Sequence, residues 1–451
     1  MTDCRSALCL TALISTQTFA GGFQLFEQSV KGLGAAYSNQ ATAADASTVF
    51  WNPAGLMRLP GQQVSLGGQL IKPSGRFVNA GSRTLVPPPS GVPLSGGDGG
   101  GVGDSAALPN LYYSHQLNHK WAMGLGINSP FGLATNYDEG WIGRYHALET
   151  QLDTINLNPS VAVRLSERLS LGGGLNIEYA KAHLSNAIDF SAVCLVQASV
   201  TPALAPLCAA SGLSVPSNPA TDGKISVKGD DWGFGWNVGL MVDLPADTRM
   251  GLTYRSTIRH DIQGDAHFTK PATLPAPIST LPNFSDGGVR TSIDLPETVA
   301  LSFHTAVNDA WSLSAASTWT RWSRLRELRI RFDNGAADAT TPFEWRNTWR
   351  IAFGTEYRVN QNWALRSGVA YDQTPVNSSN RSERIPDSNR VMFGLGASYR
   401  FHEGSTMDIG YAHWRVKDAA INLSDPMAGN LVGRFEHLHM DAIGMQFNYR
   451  L

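Results

Sequence analysis

After its first twenty residues the chain has no apolar run of 18 residues or more, so it offers no segment able to cross a bilayer as a helix. Charge is scarce as well. Charged residues make up 16% of the chain, and 35 Lys+Arg against 37 Asp+Glu leave a formal net charge of −2. The basic excess or stripe of a nucleic-acid binder is missing, so no nucleic-acid partner is expected. Cysteine is limited to 4 in 451 residues, with no metal-ligand spacing around any of them. No metal and no cofactor are expected. Catalytic signatures are lacking too. "GGDGGGVGD" (96–104) has no Gly-Lys-Ser/Thr, "FHEGS" has no second His at zincin spacing, and no Gly-x-Ser-x-Gly elbow occurs. The chain therefore reads as a non-enzyme. A Ser/His lipase is a distant alternative. "HLHMD" puts His437, His439 and Asp441 on one strand face, where rim or lumen polar residues are the simpler reading than a metal site.

The N-terminus is built like an export signal. Arg5 supplies a small positive region, Ala7 to Ile14 form a short apolar stretch, and "TFA" before "GG" offers cleavage after Ala20. Cys9 lacks the small-residue context of a lipoprotein site. Removal of residues 1–20 leaves two cysteines, Cys194 and Cys208, which an exported protein is expected to pair.

Glycine, at 45, and tryptophan, at 12, are plentiful, as suits tight turns and strands. From about Gln62 a period of two recurs. In "LSLGGGLNIEYAKAHL", Leu169, Leu171, Leu175, Ile177 and Tyr179 share one face, with Asn176 and Glu178 on the other. In "IGMQFNYRL" the same split separates Ile443, Met445, Phe447, Tyr449 and Leu451 from Gln446, Asn448 and Arg450. Short polar turns at 117–120, 166–169, 245–248, 307–310, 359–362 and 402–405 alternate with long Pro- and Gly-rich connections. Those fall at 79–107, 136–151, 186–224, 266–290, 333–344, 374–388 and 419–435. Short periplasmic turns alternating with long extracellular loops mark an outer-membrane barrel, here of about fourteen antiparallel strands. Trp and Tyr near strand ends suit interfacial girdles. Residues 21–61 are Ala/Gly/Ser-rich with helix-length segments, and too few to form a core alone. They are expected to fill the barrel lumen as a hatch or plug, with residues 62–451 forming the barrel.

Several stretches then resemble the FadL-type long-chain fatty acid outer-membrane transporter family. They are "GFQLFEQSVKGLGAAYS" after the signal, "NPAG" at 52–55, "FGLAT" at 131–135 and "LETQLDTINLNPSVAVRL" at 148–165. Further along come "WGFGWNVG" at 232–239, "LTYRS" at 252–256, "DLPE" at 294–297 and "RIPDSNR" at 384–390. The resemblance spans essentially the whole mature chain. It implies a fourteen-stranded barrel in the outer membrane of a Gram-negative bacterium, with an N-terminal hatch. It also implies passive uptake of long-chain fatty acids or other hydrophobic molecules, through an outer groove, a lumenal pocket and a lateral opening at a kinked third strand. The kink falls at Pro130, Phe131 and Gly132, where Pro cannot donate to a ladder and Gly relaxes one. Asn52, Pro53, Ala54 and Gly55 form a rigid knob expected to brace the hatch against that kink. The family's head-group cations align with Arg329 and with Asn186. The second is a departure that Lys181 or His183 could offset. Phe268, Leu274, Ile278, Leu281 and Phe284 of the fourth loop, with a third loop stapled by Cys194 and Cys208, are candidates for the outer groove. The Arg-rich stretch 321–331 suggests lipopolysaccharide contact, and a monomer is expected. A channel of the same architecture for aromatic or alkane hydrocarbons is the nearer alternative. An open polar porin is a third.

Overall fold

The computed structural model describes residues 21–88, 91–103, 105–401 and 404–451. The expected export signal lies outside the described residues. Twenty β segments make fourteen spanning strands, because six strands are interrupted once. The first six are Gln62–Asn79, Ala106–Gln116, Trp121–Asn128 with Gly132–Asn136, Glu149–Arg164, Leu169–Asp189 and Asp222–Leu244. The seventh to tenth are Thr248–Arg255 with Ile258–Thr269, Gly287–Leu295 with Thr298–Ala306, Trp311–Thr320 with Glu327–Phe332, and Ala339–Pro342 with Thr348–Arg358. The last four are Trp363–Asp372, Arg390–Arg400, Thr406–Val416 with Ala419–Asp425, and Gly429–Arg450. All pair antiparallel, and the first pairs the fourteenth from Gln63↔Arg450 to Asn79↔Gly433. The sheet thus closes and leaves no edge for lipid to strand unsatisfied.

Three of the short turns share a cause visible in the sequence. In "LNHKW", "VNDAW" and "VNQNW" an Asn side chain caps the turn three residues before a Trp. Asn118 Oδ1 accepts from the amides of Lys120 and Trp121 at 2.8 and 3.0 Å. Asn308 and Asn360 repeat the arrangement at 2.9 Å. Each turn therefore fixes the Trp at the first position of the next strand. Trp311 then meets Tyr357 at 4.6 Å and Trp363 meets Tyr399 at 4.8 Å, giving an aromatic girdle at the short-turn end.

The wall is apolar outward and polar inward across the membrane, the inverse of a soluble sheet. Leu175 is 60% exposed while Asn176 and Glu178 are fully buried. Toward the long-loop end the polarity flips along the same strands. On the sixth strand Trp232, Phe234 and Trp236 face out, whereas Ile225 and Val227 line an internal cavity and Lys224 and Lys228 take the outward positions. On the ninth, Leu328, Ile330 and Phe332 face in. The medium outside the wall there is no longer lipid, so the apolar residues turn to the interior.

Two long connections proved more ordered than their composition suggested. The third contains helices Phe190–Val200 and Ala205–Ala210. The seventh is mostly a hairpin, in which Ala419–Asp425 pairs with residues 429–435, the extension of the fourteenth strand.

Candidate functional site

Residues 21–59 are almost entirely buried against the inner face of the wall. A short helix, Val30–Gly34, starts at Ser29, whose Oγ accepts from Gly32 N at 3.0 Å. It fits because the facing wall is bare: a Cβ on Gly34 would stand 2.8 Å from Gly396 Cα, and one on Gly394 would stand 2.4 Å from Leu33 O. Four wall arginines donate to carbonyls of the segment: Arg249 to Thr42 at 2.7 Å, Arg255 to Phe50 at 3.0 Å, Arg164 to Met57 at 2.6 Å and Arg350 to Ala36 at 2.9 Å. Arg350 also lies 4.5 Å over the Phe26 ring. A buried ion-pair chain, Lys31–Asp45 at 3.2 Å and Lys31–Asp408 at 3.9 Å, continues to Arg366 and Glu356. Such paired charges make one docked register far better than its neighbours.

The knob at 52–55 is seated elsewhere than the sequence suggested. Asn52 Oδ1 accepts from Ala54 N at 3.0 Å, and Asn52 Nδ2 donates to Leu240 O on the sixth strand at 3.0 Å. Pro53 and Ala54 lie on Gly172 of the fifth strand, where a Cβ would come within 2.4 Å of Ala54 N. The knob therefore braces the fifth to seventh strands and not the kink. Pro53 opens a 3₁₀ turn, Pro53–Arg58, whose φ suits it.

The partner of the kink is the N-terminal strap before the helix. Leu25 N donates to Pro130 O at 2.8 Å, Gly132 N donates to Phe23 O at 2.9 Å, and Gln28 Nε2 donates to Ser129 O at 2.7 Å. The third strand leaves its neighbour to make these bonds. Among the described residues its first segment pairs the second strand only up to Ile127↔Leu111, and Gly132–Asn136 pairs only the fourth strand. Ala106–Asn110 of the second strand pairs the first strand alone among the described residues. Both side-chain amide atoms of buried Asn110, at this interruption, lack hydrogen-bond partners among the described residues.

Beside the kink lies an apolar chamber. Phe23 fills it, 4.8 Å from Trp322, 5.7 Å from Trp345 and 6.1 Å from Phe131. Leu133, Ile258, Leu295, Leu325 and Phe343 complete the cluster. Within the strap, Glu27 is 4% exposed and its Oε2 has no hydrogen-bond partner among the described residues. Burial pushes its carboxyl up to about 7, against the opposing pull of Arg390 and Arg350.

Above the chamber a cavity of about 830 Å³ opens toward the long loops. Leu184, Ile225, Val227, Phe268, Phe284 and Ile330 make its apolar lining. Of the fourth-loop residues, Phe268 and Phe284 face it. Leu274 and Ile278 are instead buried with Phe190 and Val193 where the third and fourth loops pack together, and Leu281 leans on that cluster. Cys194 and Cys208 are bonded inside the same cluster, with Cα atoms 5.9 Å apart.

The head-group candidates lie outside this cavity. Arg329 projects from the opposite face of the ninth strand and pairs with Glu327 at 2.8 Å and Asp338 at 3.3 Å. Lys181 and His183 take outward positions on the fifth strand, His183 being 3.0 Å from Glu149. With Leu328 and Ile330 turned inward, Arg329 faces out. Arg384, from the sixth long loop, does reach the cavity, where its Nε lies 3.8 Å from Glu383 Oε1. It donates to His146 O at 2.8 Å, Thr150 Oγ1 at 3.0 Å and Glu149 O at 3.1 Å, and sits 3.4 Å from Asn186 Oδ1. Arg384 opens the "RIPDSNR" stretch, but its partners are distant in sequence and gave no local signal.

The model of the outer membrane protein transport family (OMPP1/FadL/TodX) matches residues 11–451. The chain is 33% identical over 435 residues to the long-chain fatty acid transport protein of Escherichia coli K12, covering 93% of each. It is 33% identical over 408 residues to outer membrane protein P1 of Haemophilus influenzae, covering 88% of this chain and 86% of the relative. A Pseudomonas aeruginosa FadL homologue of known structure superposes with a TM-score of 0.84 at 24% identity, covering 95% of this chain and 99% of that one. The Pseudomonas putida toluene transporter TodX superposes at 0.62 with 17% identity, over 91% and 98%. Members of this family are transporters or channels, not enzymes. The chain belongs to the OMPP1/FadL/TodX family of outer-membrane transport proteins.

Proposed function

We propose that this barrel carries long-chain fatty acids, and apolar molecules of similar shape, passively across the outer membrane. A ligand settles in the 830 Å³ cavity, passes into the chamber around Phe23, and leaves sideways where the second strand loses its ladder. Residues 21–61 act as the hatch. The observation that carries the reading is the coincidence of three things: an apolar chamber, a hatch side chain seated in it, and a strap hydrogen-bonded to the interrupted strand. A tail that enters the chamber competes with Phe23, and displacement of Phe23 releases the strap. Each CH₂ removed from water contributes roughly 0.8 kcal/mol, and lateral exit into lipid keeps that gain.

A second reading, uptake of aromatic hydrocarbons, is favoured by the outward placement of Arg329, Lys181 and His183, which leaves few cations for a carboxylate. Arg384→Ala separates the two. If fatty acids are the cargo, oleate binding to the purified protein weakens about tenfold, as for loss of a charged hydrogen bond, while toluene binding holds. Equal loss of both, or of neither, removes the carboxylate role.

A further inference from the structure

Histidines from "HLHMD" do not face the lumen. They belong to an outward row at the upper border of the apolar wall, spread over four neighbouring strands. Register places its members. Val391, Arg415, His439 and Ser74 are cross-strand neighbours at one level. Phe393, His413, Asp441 and Lys72 are neighbours at the level nearer the membrane. Lys417 and His437 stand above, and Arg415, Lys417, His413, His437 and His439 line one cleft of about 870 Å³. The wall immediately below is apolar: Phe393, Tyr411, Ile443 and Leu70 are each 45–60% exposed.

The cations of this row are unspent. Lys72, Arg415 and Lys417 are exposed and make no ion pair or side-chain hydrogen bond among the described residues. The acids in reach are Asp418, on the cleft rim, and Asp441, which already accepts from Tyr411 Oη at 2.6 Å and lies 3.0 Å from His413 Nδ1. Glu436 is held by Arg434 and Arg76. The Arg-rich patch on the other side of the barrel is different. There Arg259, Arg290, Arg329 and Arg331 are matched by Asp261, Asp333, Glu327 and Asp338. A self-neutralised patch has little left for an external anion, whereas an unpaired row over an apolar wall suits an anionic amphiphile.

We propose that the Lys72–Arg415–Lys417 row docks the phosphorylated head group of an outer-leaflet lipopolysaccharide, with the acyl chains lying on the wall below. Its placement rests on the outer-membrane location and not on the transport reading. The contact expected of the 321–331 stretch thus moves to the opposite flank.

The test uses the full mature protein in detergent, titrated with bisphosphorylated lipid A, with dephosphorylated lipid A and with inorganic phosphate. The triple charge reversal Lys72→Glu, Arg415→Glu, Lys417→Glu is expected to weaken bisphosphorylated lipid A roughly a hundredfold, at the scale of one membrane-proximal cation each. The control reversal Arg259→Glu, Arg290→Glu, Arg331→Glu leaves it unchanged. Dephosphorylated lipid A binds the native protein weakly, and inorganic phosphate fails to displace the lipid. Resistance of the folded band to unboiled detergent gels reports on folding, and the single Lys417→Glu, outside any strand, serves if the triple variant misassembles, with a loss of roughly fivefold. Native affinity in a folded variant, equal binding of dephosphorylated lipid A, or saturation of the row by inorganic phosphate alone would each overturn the assignment.

Discussion

Phe23→Ala is the most informative single change in the lumen. The strap from Gly22 to Gln28 is held to the kinked strand by three hydrogen bonds, from Leu25 N, Gly132 N and Gln28 Nε2. Each contributes about 1 kcal/mol net. Phe23 adds the larger share: it is 2% exposed and contacts two Trp rings and a Phe ring, and truncating such a residue to Ala costs about 3–5 kcal/mol. Since about 1.4 kcal/mol is a factor of ten, the opening equilibrium of the strap should rise by a factor on the order of hundreds to thousands. Amide hydrogen exchange reads this directly at Leu25 and Gly132, whose N–H groups make the strap-to-kink bonds, with Tyr37 N as an internal control bonded to Gly32 O at 2.7 Å inside the helix turn. Faster exchange at the first two alone is the expected result, together with raised oleate uptake at low concentration. If Leu25 and Gly132 keep their native protection, Phe23 is not the latch, and the proposed ligand-for-Phe23 exchange is wrong.

Two further outcomes follow from the same geometry. Glu27 titrates at about 7 when docked against 4.5 when free, a difference worth about 3 kcal/mol. Because the docked value is the higher one, this contribution to docking is fully present below pH 4.5 and is lost as pH rises through 7. Strap protection should accordingly fall between pH 5 and 8 in the native protein, and Glu27→Gln should flatten that dependence; a native-like pH profile in Glu27→Gln would assign it to another group. Gly172→Val places a side chain 2.4 Å from Ala54 N, so the barrel should still close while the knob is expelled, seen as protease cleavage between Ala43 and Leu59 that the native protein resists. An uncut chain would show that the wall gives way instead.

Much of the architecture was legible because it rests on local rules. The Asn-x-x-Trp turns, the period of two and the alternation of short with long connections each depend on neighbours in sequence, and they gave fourteen strands with boundaries close to those observed. What was missed depends on the medium outside the wall. The family resemblance offered Arg329 as a head-group cation, but the wall outlasts the lipid, and beyond it Leu328 and Ile330 take the inner face and leave Arg329 outside. Lys181 and His183 were offered only as near neighbours of Asn186, and they share the outward face of Leu175, Ile177 and Tyr179. Arg384 was missed for another reason: its acceptors come from the second long loop and the fourth and fifth strands, and a loop closing over a lumen leaves no periodic trace. The knob's contacts depend on Gly172 and Gly239, whose lack of side chains is a signal only once their strands are known to be adjacent.

The polarity flip has a consequence for where cargo is first met. A strand needs about ten residues to cross the hydrocarbon, yet the sixth strand has 23, the fourteenth 22 and the fifth 21. From Lys228 to Asp222 the sixth strand rises a further roughly 20 Å with its apolar side turned inward. The barrel is thus a chimney that carries a greasy lining up through the hydrated sugar layer. On the proposed route a water-insoluble molecule touches that lining before it must dissolve among the sugars, so the part of the wall that never contacts lipid would lower the barrier in front of it.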